Sequence, residues 1–162
     1  MRITSPKFKE GGKIPKLYTC EGYDWNPPVE FHEVPKEAKS LVLIMEDPDV
    51  PKEIRPDGLW VHWIVYEIPP TCKGIPEHSP PPGTHGKGTN MRTAYMGPCP
   101  PDREHRYFFH LYALDIMPDW SKGLTKEEVE AKIKDHVIEK AQLVGTYELE
   151  KKPDLDQFKK QQ

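Results

Sequence analysis

SLVLIMEDPDVP, residues 40–51, runs six mostly apolar residues directly into two aspartates set among prolines. The apolar run is short, continuous and partly β-branched, which predicts a buried strand over 40–45. DPDVP (47–51) then lies at the C-terminal end of that strand. Pro48 and Pro51 bracket Asp49, restrict its backbone and remove two N–H donors. Asp47 and Asp49 have the same parity and are predicted to point the same way.

Working outward, LWVHW (59–63) opens a second strand, predicted over 60–68. Its even positions His62, Ile64 and Tyr66 are expected on one face and Val61, Trp63 and Val65 on the other. A third strand, 105–115, follows the proline corner GPCPPDREHRY (97–107) and places His105, Tyr107, Phe109 and Leu111 on a common face. If the three strands share a sheet, a carboxylate pair, two imidazoles and a phenol can meet at one end of it. A strand histidine is more often a structural residue than a ligand. An aspartate between prolines is more often a turn former.

The remaining segments read less sharply. Residues 1–12 and 14–18 are predicted as short strands about a Gly11-Gly12 turn, and 22–28 (GYDWNPP) as a loop. Residues 69–90, rich in Pro, Gly, Ser and Thr, form a loop long enough to imply function or mobility. A helix begins near Thr125, where Thr125 and Glu128 make a capping box. Val129, Ile133, Val137 and Ala141 recur at i+4 as its apolar face. Gly145 is the expected stop. A last strand is placed at 146–149, before a polar tail at 151–162.

At 162 residues the chain is long enough for one domain with a real core, read as 1–150. Its nineteen prolines far exceed the usual ~5% of residues and disfavour a helical bundle. The net charge of −3, without a basic stripe, argues against nucleic acid as a partner. No run is long and apolar enough to cross a membrane, and residues 1–16 lack the apolar core of a signal peptide. The expectation is a cytoplasmic protein. Eighteen lysines against two asparagines and four glutamines point to a thermophilic source.

The three cysteines, Cys20, Cys72 and Cys99, are odd in number and form no C-x-x-C, so neither a disulfide framework nor a zinc ribbon is expected. Cys99, wedged between Pro98 and Pro100, reads as a small, buried, inert residue rather than a nucleophile. No H-x-H or H-E-x-x-H fixes neighbouring metal ligands on one face, and metal binding ranks below anion binding. There is no G-x-S-x-G. GTHGKGTN (83–90) fails the glycine spacing of a phosphate loop.

Taken in order, DPDVP, WVHW and GPCPP…HRY resemble the phosphatidylethanolamine-binding protein family, also called the Raf kinase inhibitor protein family. GGKIPKLYTCEG…NPP and HVIEKAQLVGTYEL extend the likeness to its bacterial and archaeal branch along nearly the whole chain. The resemblance implies a mainly β fold, with two antiparallel sheets in a Greek-key, sandwich-like arrangement and one or two peripheral helices. It also implies a small, pre-formed pocket for phosphate-like anions and phospholipid head groups. By position, that pocket would use Asp47, Asp49, His62, Pro100, Pro101, His105 and Tyr107. Asp102-Arg103-Glu104 shorten and charge its rim relative to the family pattern. No cofactor is implied. The leading expectation is a non-enzymatic binding protein that regulates a kinase or protease, with a homodimer left open. The alternatives are an enzyme using Asp47 and His62 as an acid–base pair, and a protease inhibitor acting through its loops.

Overall fold

A computed structural model describes residues 1–151. The polar tail lies outside the described residues from residue 152 onward. Strands β1 (Arg2–Thr4), β2 (Val29–His32) and β5 (Gly74–Ile75) form a small sheet in the order β1-β2-β5. Strands β3 (Ser40–Asp47), β4 (Trp60–Ile68), β6 (Thr84–His85), β7 (His105–Leu114) and β8 (Val137–Tyr147) form a larger sheet, ordered β6-β4-β3-β7-β8. Every pairing within the two sheets is antiparallel. The single helix among the described residues, α1, spans Lys126–Ile133.

The central position of β3 explains its unbroken apolar run. Leu41, Leu43 and Met45 pack with Trp63, Val65, Phe109 and Leu111 against Ile3, Val29, Phe31 and Ile75 of the small sheet. Val42 and Ile44 face the other way and pack with Ile64, Tyr66 and Leu114 against Val129 and Ile133 of α1. The large sheet is thus sandwiched between the small sheet and the helix. A strand covered on both faces has no polar side to alternate with.

Three expectations need correction. The helix starts at its capping box, where Thr125 accepts from the Glu128 amide and the Glu128 carboxylate accepts from the Thr125 amide, but it ends at Ile133. Val137 and Ala141 continue the i+4 spacing only by coincidence. Residues 137–147 instead pair with β7 along its whole length, where β-branched residues and a ladder of backbone hydrogen bonds outweigh a helical stripe. Gly145 is therefore no helix stop. A Cβ there would lie 2.6 Å from Ile14 Cγ1 and 2.8 Å from Phe8 Cε2, so glycine is needed for close packing under β8. Second, Lys16–Tyr18 is a 3₁₀ turn, not a strand, and β1 covers only Arg2–Thr4. Third, Cys99 is neither buried nor inert: it forms a disulfide with Cys20, at a Cα–Cα distance of 5.5 Å, and Cys72 alone is free. The two halves of that bond are 79 residues apart, beyond the reach of any local spacing rule.

Candidate functional site

The ends of β3, β4 and β7 meet the 96–101 segment around a cavity of about 160 Å³. Its lining includes Asp47, His62, His105, Tyr107, Pro100 and Pro101, so six of the seven residues expected at a site share one cavity. The seventh, Asp49, does not line it.

The turn after β3 separates the two aspartates. Asp47 is the last residue of β3, and its Oδ1 accepts from the Asp49 amide at 2.7 Å, which bends the chain away from the strand direction. Equal parity then no longer means equal direction. Asp49 instead accepts from Arg106 three times, from the backbone amide (2.8 Å), Nε (2.9 Å) and Nη2 (2.8 Å). That bidentate clasp, with the Arg106 charge, holds the Asp49 carboxyl below the usual carboxylate range.

A β-bulge aims His62. Met45 pairs with Trp63 and Glu46 with Val61, so His62 has no opposite number on β3. Val61 stays with Ile64 and Tyr66 on the helix side, and Trp63 and Val65 on the small-sheet side. The extra residue swings His62 away from Ile64 and Tyr66 and sets its ring edge-on to Tyr107 at 5.3 Å. Simple alternation along β4 had put His62 on the helix face. Bulges are a recurrent means of re-aiming one side chain near a site.

The polar groups of the cavity are tightly arranged. His105 Nδ1 lies 2.6 Å from Asp47 Oδ2, and Nε2 lies 2.7 Å from Asp102 Oδ1, so each ring nitrogen faces a carboxylate. A proton must sit on each of those two lines. Burial raises the Asp47 carboxyl above its ordinary range, even against the His105 hydrogen bond. Burial also disfavours ionised Asp102, but the His105 bond and charge outweigh it and bring that carboxyl down. His62 Nδ1 lies 2.7 Å from the Met96 carbonyl, which can only accept, so Nδ1 carries the proton. The neutral ring therefore presents an unprotonated Nε2. Burial holds the His62 imidazole down at about 4.

The Tyr107 hydroxyl is buried and makes no hydrogen bond of acceptable geometry. Its polar neighbours are the Asp47 carboxyl and the Cys99 amide, and burial, reinforced by the Asp47 charge, pushes the phenol strongly up. Val50, Ile54, Trp60 and Met96 complete an otherwise apolar wall. Sequence reasoning missed Asp102 as a partner of His105, although its i, i+3 placement was visible. The Met96 carbonyl that orients His62 is a backbone group and leaves no trace in residue type.

Residues 4–148 match the family described as phosphatidylethanolamine-binding protein. A UPF0098 protein of Chlamydia pneumoniae is 48% identical over 148 residues, covering 91% of this chain and 99% of the relative. One from Methanothermobacter thermautotrophicus is 40% identical, covering 91% and 98%. Among solved structures, the PEBP homolog CT736 from Chlamydia trachomatis superposes with a TM-score of 0.90 at 46% identity, covering 92% of this chain and 97% of that one. E. coli YbcL, described as a member of the mammalian PEBP family, gives 0.81 at 25% identity, covering 92% and 98%. With one family matched from end to end of the folded region, the chain belongs to the phosphatidylethanolamine-binding proteins.

Proposed function

We propose that the cavity binds a small phosphate-type anion or the phosphorylated head group of a larger molecule. The observation that carries this reading is the buried, unpaired Tyr107 hydroxyl beside the inward-facing His62, in a cavity too small for anything but a compact group. A buried hydroxyl without a partner costs about 1–3 kcal/mol, so a ligand oxygen that accepts from Tyr107 recovers that loss. The cavity volume is well below the ~300–1,000 Å³ of pockets that enclose drug-sized ligands.

Charge decides how such an anion is accommodated. Arg106 is committed to Asp49, so no free guanidinium enters the lining. His62 is neutral before the ligand arrives and becomes a donor through Nε2 by taking a proton. An arriving anion favours that proton, and binding is accordingly coupled to proton uptake.

This reading supports binding over acid–base catalysis by the aspartate–histidine pair. Asp47 pairs with His105, not His62, and both nitrogens of His105 are engaged by carboxylates. No lone pair is left on that ring to abstract a substrate proton. Regulation of a kinase or protease is a separate proposal that rests on analogy with the family alone. Calorimetric titration with inorganic phosphate and phosphoethanolamine tests the reading: saturable binding that weakens at least tenfold in Tyr107→Phe and in His62→Ala supports it. Absence of binding for both ligands between pH 5 and 8 removes it.

A further inference from the structure

We infer that the Cys20–Cys99 disulfide is a thiol-exchange site whose opening releases the proline wall of the cavity. Cys99 is itself one of the lining residues, between Pro98 and Pro100-Pro101. Both cysteines are exposed, so an incoming thiolate can reach the bond. Exposed disulfides are the labile ones in thiol exchange.

The wall depends on this bond more than an ordinary loop would. Pro98, Pro100 and Pro101 have no N–H, so Cys99 carries the one amide donor in residues 98–101. That amide faces the Tyr107 hydroxyl, inside the cavity. At the wall itself, the facing segment holds on through the disulfide and through the Cys20 amide, which donates to the Pro98 carbonyl at 3.1 Å. The next anchors, Gly97 N–H to Asp24 Oδ1 at 2.8 Å, Met96 N–H to the His62 carbonyl at 3.0 Å and Tyr95 O–H to the Tyr18 carbonyl at 2.7 Å, lie on the N-terminal side of the prolines. Opening the disulfide leaves Pro100 and Pro101 held by packing and by the single Cys20–Pro98 hydrogen bond until Asp102 meets His105.

The exchange balances with an ordinary thiol as reductant. A thiolate attacks one cysteine sulfur, the Sγ–Sγ bond breaks, and a mixed disulfide forms as the other sulfur leaves as thiolate. A second thiolate attacks the reagent sulfur of that mixed disulfide and displaces the cysteine as thiolate, which leaves two cysteine thiols and one oxidised disulfide of the reagent. Cys72 is the free cysteine, half-buried, with its Sγ donating to the Gly74 carbonyl at 3.1 Å.

The test uses the native protein with dithiothreitol or glutathione in non-denaturing buffer. Titratable thiols are expected to rise from one to three while the far-UV spectrum stays unchanged. Hydrogen exchange at the amide of residue 20, which donates to the Pro98 carbonyl, should quicken at least tenfold, with Cys20→Ser/Cys99→Ser matching the reduced protein. Thiols that emerge only with global unfolding would overturn the inference, as would exchange within twofold of the oxidised form. Only the ligand arm rests on the anion reading: phosphate affinity should fall at least tenfold on reduction, and an unchanged affinity breaks the link between bond and pocket. Phosphate binding to neither form defeats the anion reading instead, and hydrogen exchange still decides the release of the wall.

Discussion

Asp47 and Asp49, two residues apart, have opposite surroundings: Asp47 is 3% exposed and meets His105 inside the cavity, whereas Asp49 is clasped from outside by the solvent-facing Arg106. A repeated acidic motif thus divides between a pocket group and a brace on its outer edge. Asp49→Asn is expected to cost about 1 kcal/mol, since Arg106 is more than half exposed and solvent screens the pair. Phosphate affinity should stay within threefold. Asp47→Asn removes the partner of His105 and should change affinity at least tenfold. Urea melts and calorimetry on the two variants separate the roles; equal effects on affinity would contradict the division.

The disulfide also bears on global stability. It closes a loop of about 80 residues, for which the chain-entropy treatment gives roughly 4 kcal/mol of stabilisation through the unfolded state. Native-state relaxation and residual structure bring the expected loss in Cys20→Ser/Cys99→Ser down to about 2–4 kcal/mol. Cys72→Ser should lose less than about 1 kcal/mol, because that sulfur is only partly buried. Denaturant midpoints compared under oxidising and reducing conditions check both values.

Gly145→Ala tests why a glycine stands in β8. An added methyl meets Ile14 and Phe8, both buried, at distances that force a shift. Overpacking of this kind typically costs about 1–3 kcal/mol. A helix-stop glycine would respond differently, because its replacement would act through backbone conformation alone. The double variant Gly145→Ala/Ile14→Ala, which removes the conflicting Cγ1, should lose less than the sum of the single variants, and additive losses would point away from steric conflict.

The elements that carry the site were legible in the chain, and the reason is burial. A strand covered on both faces, such as β3, can only be written as a continuous apolar run, and the strand over Trp60–Ile68 was read to the residue. What stayed hidden depends on partners distant in sequence. The bulge that redirects His62 exists only as a mismatch between β3 and β4, and Cys20 finds Cys99 across 79 residues. The residues of β8 satisfied a helical spacing as well as a strand, and only the free edge of β7 decided between them. For the same reason residue type named the pocket members, while their protonation depended on burial that no motif encodes.

His62 should make the fold acid-sensitive. Its folded-state value of about 4 lies below the ordinary ~6.5, so the unfolded chain binds the extra proton between those values. Stability is then complete above about pH 6.5 and falls as the pH drops toward 4, by ~3 kcal/mol for this group. Asp47, raised by burial, acts in the opposite sense, losing stability as the pH rises through its folded value. His62→Gln keeps a donor for the Met96 carbonyl but cannot titrate. Its unfolding free energy should therefore fall less than the wild type's between pH 6.5 and 4.5. Parallel curves for the two proteins would mean that His62 is not the group concerned.

Ligand binding should follow the same proton from the other side. Before binding, His62 is neutral at pH 7 because its folded-state value is about 4. An anion at Nε2 requires the imidazolium, so each pH unit above about 4 makes the required proton tenfold harder to obtain. Binding of phosphate is therefore expected to be at least tenfold tighter at pH 5.5 than at pH 8.5, and in His62→Ala the difference should shrink to the part set by the ligand's own titration. Part of any such trend could come from the titration of phosphate itself, and buffer choice separates the two. Titrations in buffers of different ionisation enthalpy report the protons taken up by the complex. Methyl phosphonate and phosphate, which ionise at different pH, should show the same His62-dependent uptake. If uptake tracks the ligand's own titration and is unaltered in His62→Ala, the imidazole has no part in receiving the anion. The orphaned Tyr107 hydroxyl would then be the sole donor, with an affinity flat in pH below the range where the ligand ionises.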